Sequence, residues 1–171
     1  KKIVVTGALG HIGSALIRQL PEDFPNAEIV LLDNLATQRY CSLFNLPKGH
    51  YRFVEADITK ADLKLIFKEA LAVVHLAALT DAEGSIDRPG DTHTVNVYGT
   101  SRVVEAAECP LIFASTTSVY GPAFNPYVES KQGAEALVAK KEDSIILRLG
   151  TIFGASPGTA ATTRATRRSN A

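Results

Sequence analysis

The chain has 171 residues, enough for one domain with a buried core. Apolar residues make up 46% and charged residues 21%, and eighteen basic residues cancel eighteen acidic ones, so no charge excess points to nucleic acid or an anionic membrane surface. The longest apolar run, ALAVVHLAAL, falls well short of the roughly 18 residues a membrane span needs.

KKIVVTG opens with a β-branched run that breaks at glycine, which predicts a buried strand entering a turn. HIGSALIRQL spaces Ile12, Leu16 and Leu20 as a helix would. AEIVLLD predicts a second strand, ending in an acid at Asp33, and TQRYCSLFNLP a loop with a helical turn. HYRFVEADI predicts a third strand that stops around Asp57. Thr59 is placed to cap a helix over residues 61–70, and LAVVHLAAL predicts a fourth strand. A helix over residues 92–108 carries Val95, Val103, Val104 and Ala107 on one face. PLIFAST, YVESKQGAEALVAKK and SIILRLG predict the fifth strand, a helix and the sixth strand.

Strands that are almost wholly apolar and alternate with helices predict a parallel sheet covered on both faces, a doubly wound α/β fold. Periodicity is lost after Gly154; residues 155–171 read as a basic tail or the remnant of a substrate-binding segment. Cys41 and Cys109 stand alone and the histidines lack ligand spacing, so neither a disulfide framework nor a metal site is expected. No charged-then-apolar leader precedes Lys1, which predicts a cytoplasmic protein.

TGALGHIG places Gly7, Gly10 and Gly13 between the first strand and the first helix. Glycines there permit positive φ and let a diphosphate lie against the helix N-terminus. Asp33 follows Gly13 by twenty residues, where an acid accepts both ribose hydroxyls of an adenosine and repels a 2′-phosphate. The position predicts a dinucleotide site that prefers NAD to NADP. Taken singly, Asp33 also reads as a turn acid.

These residues resemble the extended short-chain dehydrogenase/reductase family, which includes nucleotide-sugar epimerases and dehydratases. The resemblance runs in order through TGALGHIG, DNL at 33–35, ADI at 56–58, HLAA at 75–78, NVYGT at 96–100, STTSVYG at 115–121, YVESK at 127–131 and LRLGTIFG at 147–154. It implies a Rossmann-type dinucleotide-binding domain over residues 1–154, with the C-terminal substrate domain largely absent from this chain. Residues 155–171 lie beyond that domain. It also implies NAD contacts from Gly7, Gly10, His11, Ile12, Gly13, Asp33 and Asn34. Further contacts would come from Asp57 and Ile58 at the adenine, from Leu76, Ala77 and Ala78 by the nicotinamide, and from Asn96, Tyr127 and Lys131. Thr116, Tyr127 and Lys131 would be catalytic, and a homodimer would be the assembly. Thr116 and Tyr127 are eleven positions apart, where the resemblance implies a longer segment. With the absence of methionine, this raises the expectation that residues are missing from that interval.

Tyr127 and Lys131 are four residues apart and share a helix face. A free phenol titrates near 10, so lowering it by ~3 units needs about 4 kcal/mol of preferential phenolate stabilisation. A lysine ammonium in a partly dry cleft is an effect of that size. The tyrosine would then take a proton from a sugar hydroxyl oriented by Thr116, while hydride leaves the same carbon for NAD. In isolation, Tyr127 packing and Lys131 meeting solvent is the plainer reading. Thr117 and Ser118 occupy places where relatives that dehydrate sugars carry acids, which favours an NAD-dependent epimerase acting at C4 of a nucleotide sugar through a transient 4-keto species. A dehydrogenase, reductase or dehydratase of a sugar nucleotide or small carbonyl compound is the alternative. A non-catalytic dinucleotide-binding regulator is a third reading.

Overall fold

A computed structural model describes residues 1–121 and 125–154; the expected tail at 155–171 lies outside them. The strands are β1 (Lys2–Thr6), β2 (Glu28–Asp33), β3 (His50–Glu55), β4 (Ala70–His75), β5 (Leu111–Thr116) and β6 (Ser144–Leu149). The helices are α1 (His11–Asp23), α2 (Leu63–Phe67), α3 (Gly84–Asp87), α4 (Pro89–His93), α5 (Gly99–Ala106) and α6 (Pro126–Val138). A π-helical turn, Thr94–Tyr98, joins α4 to α5, and 3₁₀ turns lie at Tyr40–Leu43 and Thr117–Tyr120.

Every pairing among the described strands is parallel, in the order β3-β2-β1-β4-β5-β6. Alternation along β1 explains why both faces need cover. Ile3 and Val5 enter a core with Leu9, Ile17 and Leu31 on the α1 side. Val4 enters the opposite core with Val73, Val103, Phe113 and Val138. Strands with apolar residues on both faces are stable in water only when helices lie over each face. The doubly wound Rossmann-type architecture is therefore present, and its order reverses between β1 and β4.

Three local expectations differ. Thr59 does not cap α2: its N–H and hydroxyl both donate to Asp57 Oδ1, at 2.8 and 2.7 Å. Asp62 caps the helix instead, accepting from the Leu65 N–H at 3.1 Å. α2 spans only five residues, and the single helix expected over 92–108 is broken by the π-turn, where the backbone ring widens.

Candidate active site

The site is built where β1 stops. Gly7 has φ of 66°, in the left-handed region, and a Cβ there would lie 2.7 Å from the Ala77 backbone nitrogen. A side chain is thus opposed by conformation and by space. Gly13 seats α1 against the same turn: a Cβ would meet the Gly7 carbonyl oxygen at 2.4 Å and that of Ala8 at 2.7 Å. The N-cap of α1 is Gly10, which has no side chain to cap with, and no acid occupies the first turn. Such a helix end is suited to an anion.

A cleft of about 550 Å³ opens here, above the point where the strand order reverses. Gly7, Gly10, His11, Ile12 and Gly13 line its floor. Asp33, Asn34, Asp57 and Ile58 line one end, and Leu76, Ala77 and Ala78 the wall leaving β4. Thr116, Tyr127 and Lys131 line the opposite side. Elements separated by more than a hundred residues thus meet in one hollow. Asn96 is not on its surface. Only 1% exposed, it lies behind the wall: Oδ1 accepts from the Leu79 N–H at 2.8 Å, and Nδ2 donates to the Leu79 carbonyl and the Ser130 hydroxyl, each at 2.9 Å.

Asp33 is tied down by the backbone. Its Oδ2 accepts from Leu9 N–H at 3.0 Å and its Oδ1 from Leu35 N–H at 2.9 Å. Each oxygen keeps a further acceptor site, which suits a pair of ribose hydroxyls. At Asp57, burial opposes ionisation, but two hydrogen bonds from Thr59, one from Asn34 and the nearby Lys60 outweigh it and hold the carboxyl below its ordinary value.

Lys131 is 4% exposed; its Nζ donates to the Ala114 carbonyl at 2.7 Å and lies 4.7 Å from the centre of the Phe113 ring. Burial pushes it down to about 8, against the pull of Glu135. The acidified phenol expected from the Tyr127–Lys131 spacing is not what this geometry produces. Burial raises Tyr127 above its ordinary value, with only the Thr116 hydroxyl working the other way. The Lys131 nitrogen is bonded to the Ala114 carbonyl on β5, a contact that the shared helix face does not show.

Two networks here escaped sequence reasoning. Thr6 Oγ1 is 2.7 Å from His75 Nδ1, and His75 Nε2 is 3.0 Å from Thr100 Oγ1, whose proton goes to the Asn96 carbonyl at 2.6 Å. That assigns Nε2 as donor and Nδ1 as acceptor, a neutral ring. Burial, then the Lys131 charge, depresses His75 to about 3. In the second network, Glu135 accepts from Ser115 and Arg148. Its place one turn after Lys131 was the available signal.

A glycine turn, an acid on β2 and a Tyr/Lys pair converging on one cleft define a recognisable arrangement. A profile described as the NAD dependent epimerase/dehydratase family matches residues 3–170. The chain belongs to that family. The NAD dependent epimerase/dehydratase family unites two reaction types, and the similar proteins divide the same way. The dTDP-D-glucose 4,6-dehydratase of Homo sapiens is 36% identical over 184 residues, covering 90% of this chain and 52% of that protein. The crystal structure of UDP-glucuronic acid 4-epimerase from Bacillus cereus, with UDP-glucuronic acid and NAD, superposes with a TM-score of 0.82 at 27% identity. It matches 94% of this chain and 60% of its own. DesIV, a dTDP-glucose 4,6-dehydratase from Streptomyces venezuelae with NAD and TYD bound, gives a TM-score of 0.75 at 27% identity, covering 86% and 55%. The chain spans about half the length of the curated relatives it matches. Among the described residues, no helix is long and apolar enough to cross a membrane.

Proposed function

We propose that this chain is the cofactor-binding and catalytic portion of an NAD-dependent enzyme that epimerises a nucleotide sugar at C4. The observation that carries the reading is the convergence of Thr116, Tyr127 and Lys131 on the cleft that also holds the glycine turn and Asp33. Residues 1–154 form the binding domain in this reading, and 155–171 lead toward the part that would select the sugar.

The floor at Gly7, Gly10 and Gly13 receives the diphosphate, with His11 and Ile12 at the start of α1 alongside. Asp33 and Asn34 take the adenosine ribose, and Asp57 and Ile58 border the adenine. Leu76, Ala77 and Ala78 form an apolar wall by the nicotinamide, and Asn96 supports that wall from behind. When bound, NAD supplies the hydride acceptor and a positive charge beside the phenol.

Tyr127 is the group whose proton state must change. Its raised pKa keeps it a neutral phenol in the protein by itself, so it meets the substrate as a hydrogen-bond donor or acceptor. Proton removal from the sugar hydroxyl is then favoured only with added positive charge nearby. Lys131, desolvated and anchored on Ala114, holds its ammonium at the cleft edge without drifting into solvent. Thr116 orients the hydroxyl, and the same tyrosine returns the proton after the ketone has turned over.

One observation favours a second reading, 4,6-dehydration: the 36% identity to the human dehydratase. Against it, Thr117 and Ser118 are exposed hydroxyl residues with no acid between Thr116 and Tyr120. Incubation with NAD and UDP- or dTDP-hexoses, followed by NMR, separates the readings. A C4 epimer with no net NADH supports the proposal, and a 4-keto-6-deoxy sugar supports dehydration. Stoichiometric NADH would identify a dehydrogenase, and NAD binding without turnover a regulator. A homodimer and a nucleotide-sugar partner remain parts of the proposal, checked by sedimentation and by sugar-nucleotide titration.

A further inference from the structure

The end of β5 is held from α6 by two charged residues one helical turn apart. Lys131 takes the Ala114 carbonyl at 2.7 Å. Glu135 takes the next residue, accepting from the Ser115 hydroxyl at 2.5 Å. Thr116 follows directly. Glu135 is 9% exposed and would be costly as a lone anion. Arg148 on β6 meets it with Nε at 3.0 Å and Nη2 at 2.7 Å. Ser115 and Arg148 are partners in the β5–β6 register, so both side chains stand on the face toward α6. Arg148 is held in turn by the Tyr120 hydroxyl at 2.7 Å, with its guanidinium carbon 4.8 Å from that ring's centre.

A clip between α6 and β6 would need only the ion pair. The third contact, to Ser115, and the one-turn spacing to Lys131 direct the carboxylate toward the active end of β5. We propose that Glu135 is a positioning residue: clamped by Arg148, it fixes the Ser115–Thr116 end of β5 and balances the Lys131 ammonium. The inference rests on reading Lys131 and Thr116 as active-site groups. The charged or titratable neighbours of Lys131 are Glu135 and Tyr127 on its own helix, His75 on β4, which is neutral, and Arg148 on β6 beyond the carboxylate. Among the described residues, Glu135 is therefore the one anion of this group. It favours the charged lysine, against desolvation.

The test reads Lys131 directly, by ¹³C-lysine NMR titration of the chain without nucleotide, using Lys131→Arg for assignment. Glu135→Gln keeps the size and an acceptor for Ser115 but removes the charge, so the Lys131 midpoint moves down from about 8. Arg148→Met leaves the carboxylate in place without its guanidinium, so the midpoint moves up. NAD affinity, by calorimetry, weakens roughly threefold to tenfold in Glu135→Gln. Opposite displacements in the two variants support positioning. An unmoved midpoint, or displacement in the same direction, overturns it and leaves an ordinary ion pair. Should Glu135→Gln fail to fold, Ser115→Ala tests the same contact, with weakened NAD binding expected and unchanged binding counting against the proposal. A wild-type chain that does not bind NAD would defeat the functional reading alone, because the titration decides this one without cofactor.

Discussion

The Asp33 carboxylate accepts the backbone N–H of Leu9 at 3.0 Å, so the acid ending β2 is bonded to the glycine turn that ends β1. Its other oxygen holds Leu35, whose φ is 57°. One side chain therefore shapes both loops that face the proposed adenosine. Asp33→Ala leaves two buried N–H groups without an acceptor, and stability falls by about 1–3 kcal/mol per orphaned group at most. NAD binding falls at least tenfold in calorimetry. Asp33→Ser shifts preference toward NADP, because repulsion is removed while Arg39 still lines the cleft.

Gly13→Ala tests the close seating of α1. Its methyl group would have to push the Gly7 and Ala8 carbonyls away from 2.4 and 2.7 Å contacts. Backbone cannot yield as a flexible side chain does, so a loss of about 1–3 kcal/mol is expected. The displaced turn should also lose NAD binding. A melting curve and a calorimetric titration measure the two effects separately.

His75 makes the fold sensitive to acid. Its folded value, about 3, lies below the ordinary 6.5. Between those values the unfolded chain binds a proton there and the folded chain does not. Stability therefore falls as pH drops from about 6.5 toward 3, with a slope approaching about 1.4 kcal/mol per unit. Asp57 and Glu135, both held low, add a loss in the same direction at more acidic pH. Urea denaturation of wild type and His75→Gln at matched pH isolates the histidine, and the variant should lose the slope between pH 6 and about 5, above the range in which Glu135 titrates in the unfolded chain.

Tyr127→Phe should abolish turnover, by at least about a hundredfold as for loss of a general acid–base, while NAD affinity changes little. Lys131→Met should weaken both NAD binding and turnover. The separation of the two effects by binding and rate measurements checks the division of labour between them.

Much of this was legible in short stretches of sequence. The glycine turn, α1 and Asp33 announce themselves because their signals are local: β-branched residues, then glycines, then helical spacing. Thr59 misled because capping depends on which acid reaches it first, and Asp57 was two residues away. The π-turn at Thr94–Tyr98 left no mark, since TVNVY is equally suitable for an α-helix. The phenol's environment was hidden for a different reason. Spacing shows that Tyr127 and Lys131 share a face, but not that the Lys131 nitrogen is bonded to β5. Glu135 and Arg148 lie thirteen positions apart on separate elements, a pairing that only the folded β5–β6 register creates.

The π-turn has an implication for which insertions and deletions this region tolerates. An α-helix advances about 100° per residue, and the wider turn absorbs one residue without letting α4 and α5 drift out of phase. Deleting Val95 would repair the local ladder into a regular helix and improve its propensity. Asn96 lies inside that turn, so the deletion would disturb its bonds to Leu79 and Ser130, which tie the wall to the helix that carries Tyr127. The irregular segment is thus a phase corrector, and smoothing it would disturb the wall that Asn96 fastens.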